Sequence, residues 1–394
     1  MFGVIELQAD MIRLGLGLLV ATLLASVSLH GARQAAGPPP SSVQSWLADG
    51  SSALAQGDYA RAEELFRRAL AVQPQSVGIL NDLAISLAKQ GKTREAIPYY
   101  ERALSLHPGE PGTLRNLAVA YFREQEYAKA LPLAARLARQ SPEDFQANEL
   151  AGLSLFALDR YPQAARYLEA ANHSNSKDLP TLYMLGQAYL RSGNYPAVIG
   201  VFGRIMGINP NSAEAHVMMG QAYDKMFQED RALAEYLAAE QADPAFAGVH
   251  SGLGQLYFKR DKLEQAAAEF RAELKLFPAD PVANCLLGQV LMRQNQPAPA
   301  ADHFRAAVSA NPQYKEALFG LGRAELALGH PQQAAATLRK AVRIDPNYAQ
   351  AHYQLGNALE RLGDRAGAAR ERDLSARIQA QEQAAYTQKL NGKP

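Results

Sequence analysis

The residues of this chain whose types could do chemistry are its histidines, its one cysteine and its paired glycines. His216 and His250 stand 34 residues apart, and His352 follows His250 by three times that interval. Imidazoles serve as general acids, bases and metal ligands, but a site needs side chains that converge. Residues placed one or more whole periods apart in units stacked in order do not meet, so these three are read as packing residues. Gly252/Gly254 and Gly320/Gly322 form GxG pairs. Phosphate binding by such a pair requires a strand–turn–helix setting, and both pairs fall inside a helical pattern, so they too are read as packing. Cys285 is the sole cysteine. It excludes an internal disulfide, a zinc site with two thiolates and a lipoprotein-type anchor, and it is read as an inert thiol at the edge of a groove. The chain contains no HExxH, paired CxxC, GxSxG, P-loop or calcium loop. No catalytic residue, metal site or cofactor is expected, and the protein is read as a non-enzyme.

What positions these residues is a period. Of 394 residues, 48% are hydrophobic and 20% charged, which suits a folded body, and 40 basic side chains balance 39 acidic ones. That balance leaves no global field for nucleic acid or an anionic membrane surface. With Val43 as position 1 of a 34-residue unit, proline fills position 32 as Pro74, Pro108, Pro142, Pro210, Pro244, Pro278, Pro312 and Pro346. Ser176 is the gap in the first nine units. Position 20 is alanine from Ala62 to Ala368 except at Val198, and position 8 is glycine or alanine throughout. Positions 4, 7, 8 and 11 form one helical stripe and positions 20, 24 and 27 another, so each unit predicts two helices packed through small residues. No unit can bury its own stripe, and stability must come from stacking.

The order of these positions resembles the tetratricopeptide repeat. Unit one shows Trp46, Gly50, Ala62, Phe66, Ala69 and Pro74, and unit seven shows Leu253-Gly254, Tyr257, Ala266, Phe270 and Pro278. The resemblance covers Val43 to about Ala380 and implies an all-α fold, an α-solenoid of about ten helix-turn-helix units in a right-handed superhelix. Three departures carry expectations. Asn148, the polar turn Asn172–Asp178 and Ser176 predict a softer joint after unit four. Arg372 and Ala380 in unit ten predict that its second helix runs on toward Leu390 as a C-terminal cap over residues 381–394. Pro98 and Pro132 sit early in second helices, where a missing donor is tolerated.

The resemblance implies that first helices line a concave groove with positions 2, 5, 9, 12 and 13. Position 13 gives a basic ladder of Lys89, Arg123, Arg191, Lys225, Lys259, Arg293 and Arg361. Position 9 gives an amide ladder, Gln187, Gln221, Gln255 and Gln289, continued by Arg323 and Asn357. Such groups grip carboxylates and the backbone of an extended peptide, although solvated polar residues are also ordinary on a helix face. Phe258 and Tyr183 add groove aromatics. An apolar patch of Val119, Phe122, Leu153, Phe156 and Leu190 is either an anchor for a partner or buried by curvature. The carboxylate clamp of chaperone-binding members is not matched: Asn81, Ile85 and Asn116 keep only its last residue.

Before the repeats, Leu14 to Ala32 carries no charged residue and Arg13 precedes it. Residues 1–32 are read as a signal peptide or an N-terminal membrane anchor and 33–42, with Pro38, Pro39 and Pro40, as an extended spacer. The expected protein is therefore an exported scaffold, periplasmic or anchored facing outside the cytoplasm. It would hold protein or peptide partners in its groove and assist assembly of an envelope complex, with membrane contact only through the N-terminal segment. Self-association through terminal repeats, or service as the regulatory or substrate-recognition part of an enzyme complex such as a glycosyltransferase or protease, are the other readings.

Overall fold

A computed structural model describes residues 42–391. The expected signal or anchor segment and residues 33–41 of the expected spacer lie outside the described residues, and Ser42, expected to end the spacer, opens the first helix. Among the described residues, no helix is long and apolar enough to cross a membrane.

Among the described residues, twenty α-helices make ten hairpins, in two compact units. The unit ending at Pro210 holds α1 (Ser42–Gln56), α2 (Tyr59–Val72), α3 (Val77–Lys89), α4 (Thr93–Leu106), α5 (Pro111–Arg123), α6 (Tyr127–Gln140), α7 (Phe145–Ala157), α8 (Tyr161–Ser174), α9 (Leu179–Arg191) and α10 (Tyr195–Ile208). The unit starting at Asn211 holds α11 (Ala213–Lys225), α12 (Glu229–Ala242), α13 (Val249–Lys259), α14 (Leu263–Leu276), α15 (Pro281–Arg293), α16 (Pro297–Ala310), α17 (Lys315–Ala327), α18 (Pro331–Ile344), α19 (Ala349–Arg361) and α20 (Arg365–Asn391). Odd-numbered helices are the first of each repeat. Within the first unit α1, α3, α5, α7 and α9 also touch in succession, and within the second so do α11, α13, α15, α17 and α19. Even-numbered helices make no comparable contact with one another. One face of each unit is thus lined by first helices.

The small residues work as the period implies. A Cβ at Gly254 would lie 2.7 Å from the Phe270 ring, at Gly288 2.8 Å from Phe304, and at Gly152 2.7 Å from Leu168. The side chain at position 24 therefore rests on position 8 in these repeats, which is why a small residue stands there. The GxG pairs extend this: a Cβ at Gly252 would meet Tyr236 at 2.3 Å and one at Gly320 would meet Phe304 at 2.4 Å. Each aromatic is clasped between its own repeat and the next. Ala62, Ala96, Ala130, Ala266, Ala300 and Ala334 are fully buried at the second-helix side of the same contact.

The softer joint after repeat four takes a regular form. Helix α8 runs its full length to Ser174, and Asp178 caps α9 by accepting from the Thr181 amide at 2.9 Å. Asn148 is buried and donates to the Pro142 and Asp144 carbonyls at 2.7 and 3.0 Å, which pins the preceding turn. The same aspartate cap stands at Asp144 and Asp280, so the turn keeps its form where Ser176 replaces the proline. The irregular joint lies between α12 and α13 instead, where α13 begins only at Val249, after Gly248 at φ 90°. The last helix runs on to Asn391, with Ser375 bonded to the Ala349 carbonyl at 2.7 Å and Ile378 buried.

Candidate partner-binding surfaces

In the unit starting at Asn211, two adjoining cavities open on the first-helix face. One, of about 550 Å³, is lined by Met292, Arg323, Leu326, Ala327, Gln354, Asn357, Glu360, Arg361 and Arg372. The other, of about 470 Å³, is lined by Phe258, Gln289, Met292, Arg293, Phe304, Glu316, Phe319, Gly320, Arg323, Tyr348 and Gln350. Met292 and Arg323 belong to both. The Arg293 guanidinium lies 5.1 Å over the Phe258 ring and that of Arg323 5.6 Å over Phe319. Stacking of this kind holds a guanidinium flat and leaves its edge donors for a carboxylate or a backbone carbonyl. The Gln289, Gln350, Gln354 and Asn357 amides supply donors and acceptors between these cations.

Three of the seven residues of the basic ladder are engaged with the preceding repeat. Lys259 Nζ is 2.5 Å from Asp224, Arg293 is 2.6 Å from Asp261, and Arg361 donates to the Leu326 carbonyl at 2.6 Å. Each partner belongs to the preceding repeat, at the C-terminal end of its first helix or just beyond. A cation there satisfies helix-end carbonyls and carboxylates, so position 13 serves stacking first. Lys89 lies 5.8 Å over the Tyr59 ring, and its ammonium is held below its ordinary pKa by burial and then by Arg123. Arg123 is partly buried, with its guanidinium lowered by burial. Arg191 is partly buried and Lys225 exposed. Arg323 has no carboxylate partner among the described residues.

Of the amide ladder, Gln187, Gln221 and Gln289 are partly buried and Gln255 is exposed. Gln289 reaches Cys285 Sγ at 3.6 Å. Cys285 itself is wholly buried rather than at the groove edge, and burial pushes its thiol up to about 11. A thiol so protonated is a poor nucleophile.

In the unit ending at Pro210 the apolar patch is mostly core. Phe122, Leu153 and Phe156 are buried, with Phe122 edge-on to Tyr127 at 5.1 Å and Phe156 edge-on to Tyr161 at 5.2 Å. The expectation of a free anchor is corrected for these three: neighbouring helices cover them, as curvature would. Val119, Tyr183 and Leu190 are only partly buried. Beside them Glu149 is buried on α7, accepts from Thr181 Oγ1 at 3.3 Å, and is pushed up to about 8 by burial and then by the Asp178 charge. Asn81 accepts from Thr113 at 3.2 Å and from Asn116 at 3.5 Å, so the two asparagines nearest to a clamp bond each other.

Tetratricopeptide repeat profiles match residues 47–111, 81–145, 115–178, 155–222, 217–281, 285–349 and 337–371. The chain belongs to the tetratricopeptide repeat family. Repeats of this family are generally protein–protein interaction scaffolds and typically non-catalytic. A search of curated proteins gives no match. Among solved structures, the chain is similar to YrrB, "a TPR protein with an unusual peptide-binding site", at 24% identity over 48% of this chain and 97% of that one, with a TM-score of 0.41. It is similar to a tetratricopeptide repeat protein from Parabacteroides merdae at 23% identity over 64% of this chain and 99% of that one, TM-score 0.43. MamA is similar at 21% identity over 42% of this chain and 97% of that one, TM-score 0.39.

Two repeat positions escaped the sequence reading. Position 15 adopts positive φ in all ten tetratricopeptide units, from Gly57 at 81° to Gly363 at 85°, including Gln125, Asp159, Phe227, Asp261 and Asn295. Its Gly, Asn and Asp content was the available signal. Position 4, read as plain packing, carries hydrogen bonds: Asn148, Asn284 and His352 each reach the carbonyl of the proline six residues before, at 2.7, 3.2 and 3.0 Å.

Proposed function

We propose that the protein is a scaffold of the cell envelope that binds an extended, acidic segment of a partner protein along the first-helix face of residues 211–391. The observation that carries this reading is the Arg323 guanidinium, stacked on Phe319 without a carboxylate partner among the described residues and open to two adjoining cavities set among amides. The lining of the larger cavity holds three arginines against Glu360 alone, so it favours carboxylates. Aromatic faces beneath the cations add apolar contact for the segment's other side chains. The envelope location rests on the uncharged run Leu14 to Ala32 behind Arg13.

A photo-crosslinking amino acid placed at Gln350 in the native cell tests the binding surface. It should capture a defined partner that is lost when Arg323 is changed to Glu, whereas the same probe at the exposed Lys340 of α18 should not. Equal capture at both positions, or capture indifferent to Arg323→Glu, would count against the groove. Protease accessibility of the repeats in intact and osmotically opened cells tests the location.

A further inference from the structure

At one histidine a second carboxylate approaches the ring nitrogen that a first already holds. His216, His250 and His352 each bring Nδ1 to a glutamate nineteen residues on, Glu235 at 2.8 Å, Glu269 at 2.8 Å and Glu371 at 2.6 Å. That pair ties a first helix to the second helix of its own repeat. At His250 a carboxylate of the preceding repeat also closes in: Glu240 on α12 places Oε1 3.9 Å from the same Nδ1. The positions corresponding to Glu240 hold Met206 before His216 and Val342 before His352.

A single Nδ1–H serves one acceptor, and Glu269 holds it. Glu240 is left facing a second carboxylate, with no other cationic partner among the described residues. Glu273 adds negative charge nearby, where it accepts from the Gly248 and Ser251 amides at 3.1 and 3.2 Å. Two carboxylates converging on one imidazole nitrogen are the donor set that a divalent ion replaces a proton to satisfy. The three ligating atoms lie within 4.8 Å of one another. Zinc holds nitrogen and oxygen at about 2.1 Å, which sets neighbouring donors of a tetrahedron about 3.4 Å apart. Reaching that spacing requires Glu269 to open from 2.8 Å and Glu240 to close from 3.9 Å of Nδ1.

We propose that Glu240, His250 and Glu269 bind one divalent transition-metal ion of the zinc class, which staples repeat six to repeat seven. The ring then carries its remaining proton on Nε2, and water takes the fourth position on the open side, where Glu240 is 37% exposed. The place is suited to a staple, because α13 starts only at Val249 and this joint has the longest inter-repeat turn of the unit.

The test is calorimetric titration of Zn²⁺ into the full chain stripped with a chelator, with the Co²⁺ absorption spectrum as a second readout. We expect one saturable equivalent per chain in the wild type. Glu240→Gln should weaken it by more than about tenfold, the loss that removal of even an outer partner causes. Glu371→Gln, in the two-membered counterpart, should leave it unchanged. Glu240→Gln alters a partly exposed residue, and its melting curve without metal checks that the fold survives. Absence of a saturable equivalent in the wild type, or equal affinity in Glu240→Gln, would overturn the site.

Discussion

Glu149 should make the unit ending at Pro210 less stable as the pH rises, and Glu149→Gln should remove that dependence. The carboxyl is buried, has one hydroxyl partner, and faces the charge of Asp178. Its pKa in the folded protein is raised from 4.5 to about 8, so between those values the native state binds a proton that the unfolded chain does not. A raised carboxyl contributes its stability in full below 4.5 and loses it as pH climbs through the folded value. At about 1.4 kcal/mol per pH unit, the loss between about pH 5.5 and 8.5 is about 3 kcal/mol. For a unit of this size that is a fall in melting temperature of about 6–12 °C. Asp82, pushed up to about 6 by burial, adds a loss of the same sign in both proteins. The readout is therefore the difference between wild type and Glu149→Gln, followed by circular dichroism and by amide exchange of α7 and α9. Glutamine keeps the shape and an acceptor for Thr181. If both proteins lose stability in parallel from pH 5.5 to 8.5, Glu149 is ionised in the fold and the reasoning fails.

Phe227 holds φ at 58° with its ring 91% exposed, so Phe227→Gly should stabilise the protein by about 1 kcal/mol, seen as a raised denaturant midpoint. Gly320→Ala should cost about 1–3 kcal/mol, because its Cβ falls 2.4 Å from the Phe304 ring. Gly200→Ala, on an exposed stretch of α10 with open space around it, should stabilise by about 0.8 kcal/mol. Opposite signs for these two glycines in thermal melts are the check. Asn148→Ala removes both bonds to the Pro142 and Asp144 carbonyls and should cost about 1–3 kcal/mol, with faster amide exchange at the start of α7.

The fold was legible because its code is redundant. Gly254 and Phe270, or Gly288 and Phe304, state one packing rule again and again, and a rule repeated at a fixed interval survives its exceptions at Val198 and Ser176. The long last helix was legible for the same reason, since Arg372 and Ala380 break the rule where an outer face begins. The binding surface was harder to read because its residues are paired across repeats. Nothing in the local sequence around Lys259 shows that Asp224, 35 residues earlier, receives its ammonium. Nor does a run of first-helix hydrophobics show that Phe122 and Phe156 are covered while Phe258 and Phe319 remain partly open.

That pairing changes where binding energy should come from. A carboxylate that approached Lys259 or Arg293 would have to displace Asp224 or Asp261, exchanging one ion pair for another at little net gain. Arg361 is similarly committed to the Leu326 carbonyl at 2.6 Å, and Arg372 to Asn357 and Glu360. Arg323 stands differently: it is spread over Phe319, open to both cavities, and offers its donors without breaking a pair. An acidic side chain meeting it gains a charge-assisted bond over an aromatic surface that excludes water from one side. The ladder at position 13 then acts as the frame that sets the distance between neighbouring first helices, and Arg323 at position 9 acts as the anchor within that frame.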